Sequence, residues 1–414
     1  TGQANMRHLD DFLIAGELSL SGRVSDIKGG VAFGMHAKRI GKKLILPKKS
    51  AKEAALVDGV EVFEADSLRS VVEFLSGTGG LRKSQASFDS FLNTETRYGI
   101  DFFDVVGQFF LKRAVEVAVA GGHNLLMIGA PGSGKSMIAK RIPTIMPDLS
   151  KEELLDIISI YSAAGIGAEN ETCTVTRPFR APHHTISSVG LLGGGKIPRP
   201  GEISLAHHGV LFLDELSEFN KSDLEALRQP LEDGEITISR SAGKITLPCS
   251  FMCIAAMNPC PCGFLGDKTG RCRCSSEKIR RYRSKISGPL LDRFDIQVEV
   301  SAVSATDIRL GKGSEPSSEI KQRIESARAR QKERFGNGRV TNADTDNIQK
   351  ICKIDRESQD LLDSAMKNLH LSARAYDKIL RVARTIADLA GDEQVGSSHI
   401  LEAIQYRTLD KGML

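Results

Sequence analysis

Gly129-Ala130-Pro131-Gly132-Ser133-Gly134-Lys135-Ser136 stands directly after the apolar run Asn124–Ile128 and directly before a helical spacing over 135–142. The octet satisfies G-x-x-x-x-G-K-[ST], and a strand before it with a helix after it is the context that confirms a phosphate-binding loop. Its glycines let backbone N–H groups turn toward phosphate oxygens, and the helix N-terminus adds partial positive charge. Lys135 is then placed to reach the β- and γ-phosphates of ATP, and Ser136 to ligate Mg²⁺. A plain Gly-rich turn would not account for strand, motif and helix in register.

About 80 residues on, Val210–Leu213 gives four consecutive apolar residues, as in a strand buried on both faces, and ends in Asp214-Glu215. Asp214 is placed to hold the magnesium water shell and Glu215 to act as general base on the attacking water. The structural alternative is a helix N-terminus, where acids are also favoured. Asn258 ends a further apolar strand, Met252–Met257, at the end that faces the phosphate crevice in a parallel sheet. An Asn in a turn before Pro259 is the bland reading of that residue.

With Ser287-Gly288-Pro289-Leu290-Leu291-Asp292-Arg293-Phe294-Asp295, these segments resemble an AAA+ ATPase of the magnesium-chelatase-like branch. The resemblance implies that Asn258 is the sensor 1 residue and Arg293 the finger that reaches a neighbouring subunit's nucleotide. It implies that Arg374, in Leu371-Ser372-Ala373-Arg374, is the sensor 2 arginine of a helical lid. Asp104-Val105-Val106-Gly107-Gln108 resembles the segment that lies along the adenine. Both arginines have an alternative as surface ion-pair residues.

Residues 177–205 are rich in Pro, Gly and His, and 236–239 and 244–247 flank Arg240-Ser241-Ala242-Gly243 as a hairpin with a basic tip. In ring-forming relatives the matching segments project into the pore, so Arg240 and Lys244 are candidate DNA contacts; an ordinary surface hairpin is the alternative. His183, His184, His207 and His208 are two adjacent pairs without helical ligand spacing and read as polar packing. Two basic clusters, Lys278–Lys285 and Arg328–Arg334, suit phosphates as well as solvent or subunit contacts.

Of the eight cysteines, Cys260, Cys262, Cys272 and Cys274 form two C-x-C pairs within fifteen residues. Zinc takes four thiolates in a tetrahedron, and Gly263, Gly266 and Gly270 give the loop freedom to assemble them. A closed structural zinc site is the favoured reading, with reduced thiols and disulfides as alternatives. The usual spacing is C-x₂-C, so C-x-C is a departure.

The 414 residues carry 56 basic and 52 acidic side chains, a net charge of +4, which neither requires nor excludes a nucleic-acid partner. No apolar run approaches the ~18–20 residues of a membrane span, and no secretory signal is evident, so a cytoplasmic protein is expected. The chain opens Thr1-Gly2-Gln3, which reads as a piece of a longer protein. Ahead of the core, Ile14–Val24, Gly29-Gly30 and Leu44-Ile45-Leu46-Pro47 resemble the C-terminal half of a Lon-type protease domain. The Ser–Lys dyad of that domain places its lysine two residues after the Gly-Gly pair; here that residue is Ala32, and the serine-bearing stretch would lie upstream of Thr1. A module without proteolytic function is implied.

The expected fold class is α/β. Residues 1–76 form a partial Lon-like α+β module, 77–99 a linker, 100–312 the AAA+ core with a Cys-rich insert at 260–274, and 313–414 a helical lid. A Lon-like module, a chelatase-like core and a double C-x-C insert together are similar to the ComM (YifB-type) family. That resemblance implies a hexameric, ATP-dependent helicase acting on single-stranded or branched DNA in the integration of transforming DNA. A magnesium-chelatase motor subunit and a non-hydrolysing, ATP-switched scaffold are the rival functions.

Overall fold

A computed structural model describes residues 8–85, 98–166, 176–195, 198–240, 243–266, 270–301, 315–336, 341–345, 348–369 and 371–407. They divide into two compact units.

The larger unit holds a five-stranded sheet. Its strands are β1 (Leu125–Gly129), β2 (Phe179–Arg180), β3 (Val210–Leu213), β4 (Met252–Met257) and β5 (Ile296–Val300), in the order β5-β1-β4-β3-β2. Every pairing is parallel. Successive side chains of a strand point to opposite faces, and the apolar runs divide accordingly. Leu125 and Met127 join Phe212, Ile254 and Val298 in one core, while Leu126 and Ile128 join Leu211, Leu213 and Ala255 in the other. Both faces are buried, so these strands read as unbroken apolar runs instead of alternating ones.

Helices α1 (Phe109–Gly121) and α2 (Lys135–Ile145) cover the first face. The sequence spacing ends α2 at 142, but the helix continues through Pro143 to Ile145. Proline has no N–H to donate to the Ala139 carbonyl, so the ladder loses one bond in this last turn.

The C-terminal helices α3 (Ser317–Phe335), α4 (Arg356–Leu369), α5 (Ala373–Ala390) and α6 (Ser397–Gln405) share that first core through Ile320, Ile324, Leu362, Ile379 and Ile400. Polar contacts reinforce the packing. Arg323 Nε lies 2.5 Å from Oε1 of the buried Glu116 on α1, and Gln331 Nε2 donates to the Ala120 carbonyl at 2.9 Å.

One ionic contact joins α5 to the end of the Ser287–Asp295 segment. Lys378 Nζ sits 3.0 Å from Asp295 Oδ1, and Asp295 Oδ2 accepts from the Asn124 backbone N–H at 3.2 Å. Burial alone would raise the Asp295 carboxyl, but Lys378 and His123 more than reverse this and hold it far below the usual carboxylate range.

In the smaller unit, Phe12–Ile14, Lys43–Leu46 and Val62–Glu64 pair in parallel, and Arg82–Lys83 adds antiparallel to Val62–Glu64. The stretch read as a linker thus begins with an edge strand; its residues 86–97 lie outside the described set. A separate short ladder pairs Glu17–Leu18 with Val24–Ser25 in antiparallel fashion. Leu20 is fully exposed, so no burial favours extending it.

A helix from mid-chain, Lys151–Ala164, also belongs to this unit. Leu154, Ile157 and Ile158 pack with Val31, Leu56 and Val57. Ser162 Oγ accepts from the Gly29 N–H and donates to Glu53 Oε2, each at 2.8 Å. Gly30 is required by close approach, since a Cβ there would lie 2.6 Å from the Ser50 carbonyl oxygen. The Gly29-Gly30 pair therefore serves packing, and Ala32 is exposed.

Lys378→Met leaves Asp295 buried without its counter-charge and is expected to cost about 3–5 kcal/mol, measured by denaturant unfolding at neutral pH. The Asp295 carboxyl is depressed, so its contribution is complete above its unfolded value near ~3.9 and is lost as pH falls toward its folded value. Acid titration of stability should show a weaker acid loss in Lys378→Met than in the wild type.

Candidate nucleotide site

Parallel register decides which residues meet. Leu213 lies beside Ala255, and Met257 beside Ile128. The residues that follow β1, β3 and β4 therefore emerge together at the carboxyl edge of the sheet, where open α/β sheets bind ligands. They line a cavity of about 410 Å³ formed by Pro131–Met137, Asp214, Glu215, Met257 and Asn258.

Gly132 and Gly134 adopt φ of +77° and +90°, and a Cβ on either would meet nothing within 4 Å. That open concavity, with the first turn of α2 beneath it, suits a phosphate chain. Gly129 and Ala130 complete the loop, and their carbonyls accept from Lys135 Nζ at 2.7 and 3.0 Å. Burial pushes the Lys135 ammonium below its usual range, opposed by the nearby Asp214 charge. Phosphate oxygens would replace those carbonyls as acceptors of the Lys135 ammonium.

Ser136 Oγ donates to Asp214 Oδ2 at 2.6 Å. A hydroxyl and a carboxylate side by side at the mouth of the loop are hard oxygen donors, the set that suits Mg²⁺ alongside phosphates and water.

Glu215 has φ +52°, a left-handed conformation that is uncommon for a non-glycine residue. It precedes the short turn Leu216–Glu218 in the N-cap position, but its side chain caps nothing. The residue lines the cavity instead, so the N-cap reading does not explain it. His184 Nδ1 lies 3.1 Å from Glu215 Oε2. His184 follows β2, which abuts β3. The sequence reading assigned all four histidines to packing. That description fits His183, which contacts Thr185, and His207, whose Nδ1 accepts the Ser250 N–H. His184 touches the candidate base. Its signal in the sequence is weak, because β2 is only two residues long.

Gln108 Nε2 donates to the Ser133 carbonyl at 3.0 Å, which brings the 104–108 segment against the phosphate loop. Arg293 and Arg374 are not among the cavity-lining residues. Arg293 pairs with Glu232 at 2.5 Å. Arg374 is exposed on the first turn of α5.

The hairpin is present as Glu235–Arg240 against Gly243–Pro248, with Lys244 exposed. The Arg240 side chain and residues 241–242 lie outside the described set. The two basic clusters differ. Lys278, Arg280, Arg281 and Lys285 are exposed. In the second cluster, Arg328 donates to the Val119 carbonyl, Arg330 to the Asp388 carbonyl, and Arg334 to the Asp388 carboxylate. Those three arginines tie helices together, a use that neither the phosphate nor the solvent or subunit alternative anticipated.

The four cysteines converge. Cys260 Sγ is 3.3 Å from Cys262 Sγ and 3.8 Å from Cys272 Sγ, and all four sulfurs lie within 4.8 Å of one another. These contacts are far longer than the ~2.05 Å of a disulfide. No helix among the described residues is long and apolar enough to cross a membrane.

Comparison with known proteins gives a consistent picture. Residues 101–308 match the family described as magnesium chelatase, subunit ChlI, and residues 314–407 match its C-terminal part. YifB of Escherichia coli is 40% identical over 417 residues, covering 99% of this chain and 79% of its own length. Competence protein ComM of Haemophilus influenzae is 40% identical over 415 residues, 98% of this chain and 80% of its own. DNA replication licensing factor Mcm2 of Drosophila melanogaster is 25% identical over 207 residues, 46% of this chain and 20% of its own.

His184→Ala should lower the rate of ATP hydrolysis by about 10–10²-fold, the scale of a displaced catalytic group, with ATP affinity unchanged. Steady-state turnover beside equilibrium binding of a fluorescent ATP analogue measures both. His184→Asn, which keeps a donor, should recover part of the loss, whereas a merely structural role would move affinity and turnover together.

Proposed function

The chain belongs to the magnesium chelatase ChlI family, alongside YifB and ComM, and carries that family's AAA+ ATPase domain; on that premise we propose that it is an ATP-hydrolysing, ring-forming DNA motor that drives branch migration. The observation that carries the ATPase part is the single cavity that gathers Lys135, Ser136, Asp214, Glu215 and Asn258.

In this reading Lys135 and the loop N–H groups hold the β- and γ-phosphates. Ser136 and Asp214 hold Mg²⁺, which when bound neutralises charge on the phosphates. Glu215 accepts the proton of the attacking water, and Asn258 orients that water against the γ-phosphate. Arg293, outside its own chain's cavity, completes the site of the next subunit in a homo-oligomeric ring, taken as a hexamer. Arg374 acts from the helical lid.

Support for DNA is of a different kind. One relative is named as a competence protein, ComM, and another as a DNA replication licensing factor, Mcm2. Lys244 is exposed on the hairpin, and Lys278, Arg280 and Arg281 form an exposed basic face. Contacts of this type go to phosphates and carry little sequence preference.

A second reading, magnesium insertion into a tetrapyrrole, is favoured only by the family's description. Assay of branched-DNA unwinding beside magnesium insertion distinguishes the two, and an ATPase assay alone excludes a non-hydrolysing scaffold.

Glu215→Gln should retain ATP binding while hydrolysis and unwinding fall by roughly 10²–10⁴. Wild-type turnover in that variant would refute the base assignment. Arg293→Ala should bind ATP yet hydrolyse poorly in homogeneous rings. Full turnover by a strictly monomeric protein would refute a finger acting between subunits. The double change Arg240→Ala, Lys244→Ala should lower the salt slope of DNA binding by about one unit per lost contact. Its DNA-free ATPase rate should be unchanged, since neither residue is assigned a role in nucleotide binding or hydrolysis.

A further inference from the structure

The Cys-rich loop begins two residues after Asn258, and its path brings it back to the phosphate loop. Gly263 has φ +81°, and a Cβ there would lie 2.5 Å from Pro131 Cδ, with Asn258 next nearest. The backbone at Gly263 is therefore seated on the wall of the nucleotide cavity, which Pro131 and Asn258 line. The Gly263 N–H donates to the Cys260 carbonyl at 2.9 Å, so the turn that makes this contact is closed by a cysteine.

The two arms of the loop are also held together beyond the sulfurs. The Arg271 guanidinium lies 4.3 Å from the centre of the Phe264 ring. After Cys274, Ser275 caps the helix Ser276–Arg283, whose last residue donates from Arg283 Nε to the Pro259 carbonyl at 3.3 Å. The loop thus leaves and rejoins the protein at the same place, beside Asn258.

Four thiolates about 2.3 Å from one zinc ion, at the corners of a tetrahedron, stand about 3.8 Å apart. The sulfur separations of 3.3, 3.6 and 3.8 Å straddle that value, and the fourth sulfur is within the same cluster. Cys260 is fully buried and the other three are partly buried, as in a closed site.

We propose that Cys260, Cys262, Cys272 and Cys274 bind one zinc ion, and that this ion clamps the Gly263 turn against Pro131 and Asn258 and so holds the nucleotide cavity in its binding shape. This rests on the reading of that cavity as the ATP site. Among the described residues between Cys262 and Cys272, Phe264 and Leu265 are only half-buried, so the metal supplies the cross-link that a hydrophobic core would otherwise provide. The ion has no open position and takes no part in the chemistry. Its effect is on ATP affinity.

The test uses the whole protein. Elemental analysis after dialysis should find one zinc per chain. Cobalt in its place should give the visible absorption of a tetrahedral tetrathiolate. Removal of the metal with a thiol-reactive mercurial, followed by thiol reduction, should weaken binding of a fluorescent ATP analogue about tenfold. Added zinc should restore it. Gly263→Val leaves all four cysteines in place, so it should keep the zinc yet weaken ATP binding, because its side chain pushes the turn off Pro131. Circular dichroism of each form separates this from unfolding.

Absence of zinc with four freely reactive thiols would overturn the metal site. Zinc present, but ATP affinity unchanged both on its removal and in Gly263→Val, would overturn the clamp. Lys135→Ala is the control for the underlying reading. If the zinc-loaded wild type and Lys135→Ala bind ATP equally poorly, the nucleotide site has been misread, whereas the zinc content is read without nucleotide and stands or falls separately.

Discussion

Parallel pairing of β1 with β4, and of β4 with β3, is the constraint on which the rest depends. In an antiparallel sheet the residues following Gly129, Leu213 and Met257 would leave from opposite edges. Here the register aligns Ile128 with Met257 and Leu213 with Ala255, so phosphate loop, acids and Asn258 leave from one edge. Parallel strands require long crossovers and helices on both faces. The two apolar cores either side of the sheet satisfy that requirement. The Ser136–Asp214 hydrogen bond then fixes the spacing between two crossovers, at the place where a cation and a phosphate chain would meet.

The legible parts of the sequence were those in which burial and local chemistry coincide. Val210–Leu213 and Met252–Met257 are buried on both faces and read as strands without ambiguity. The phosphate loop carries its own backbone requirement, and the hairpin its own turn. Less legible was whatever owes its structure to a neighbour. Phe179–Arg180 is an edge strand only because Val210–Leu211 lies beside it. His184 could not be distinguished from His183 by sequence, since the strand that precedes both is set by tertiary pairing. The helix Lys151–Ala164 had a readable signal, the capping box of Ser150 and Glu153, but its membership of the smaller unit depends on partners more than a hundred residues away. The second basic cluster left its alternatives open in the sequence for the same reason. Charges at Arg328, Arg330 and Arg334 look solvated in sequence and are in fact absorbed by carbonyls and a buried carboxylate.

The smaller unit shows how a motif can keep its residues and change its use. Gly29-Gly30 matches the pattern expected ahead of a catalytic lysine, but Ala32 is exposed and has no proton to exchange. What the glycines do here is admit close contact. Gly30 lets its helix approach Ser50 and Glu53, and the Gly29 N–H is satisfied by Ser162 from a distant part of the chain. Glu53 accepts from both Ser162 and the Gly30 N–H, so one carboxylate closes a network among three segments. Buried donors of this kind must be paired, which is sufficient reason for the residues without any catalytic role.

The segment Ser287–Asp295 is anchored at two places by ion pairs. Arg293 points to Glu232 at the surface, and two residues later Asp295 is buried against Lys378 of α5. The backbone between them is further held by Arg407 Nη1, which donates to the Phe294 carbonyl at 2.6 Å, and by Asn124 Nδ2, which donates to the Arg293 carbonyl at 3.1 Å. Asn124 also accepts the Cys253 N–H, so the same side chain fixes β4 beside β1. Arg374 lies on α5 one turn before Lys378. A displacement of α5 must therefore either carry Asp295 with it or separate an ion pair buried from water, and the second course costs several kcal/mol. The first course breaks the hydrogen bonds of Asn124 and Arg407 to this segment and the Arg293–Glu232 pair, so the contacts hold Arg293 and the α5 turn that carries Arg374 in a fixed relation.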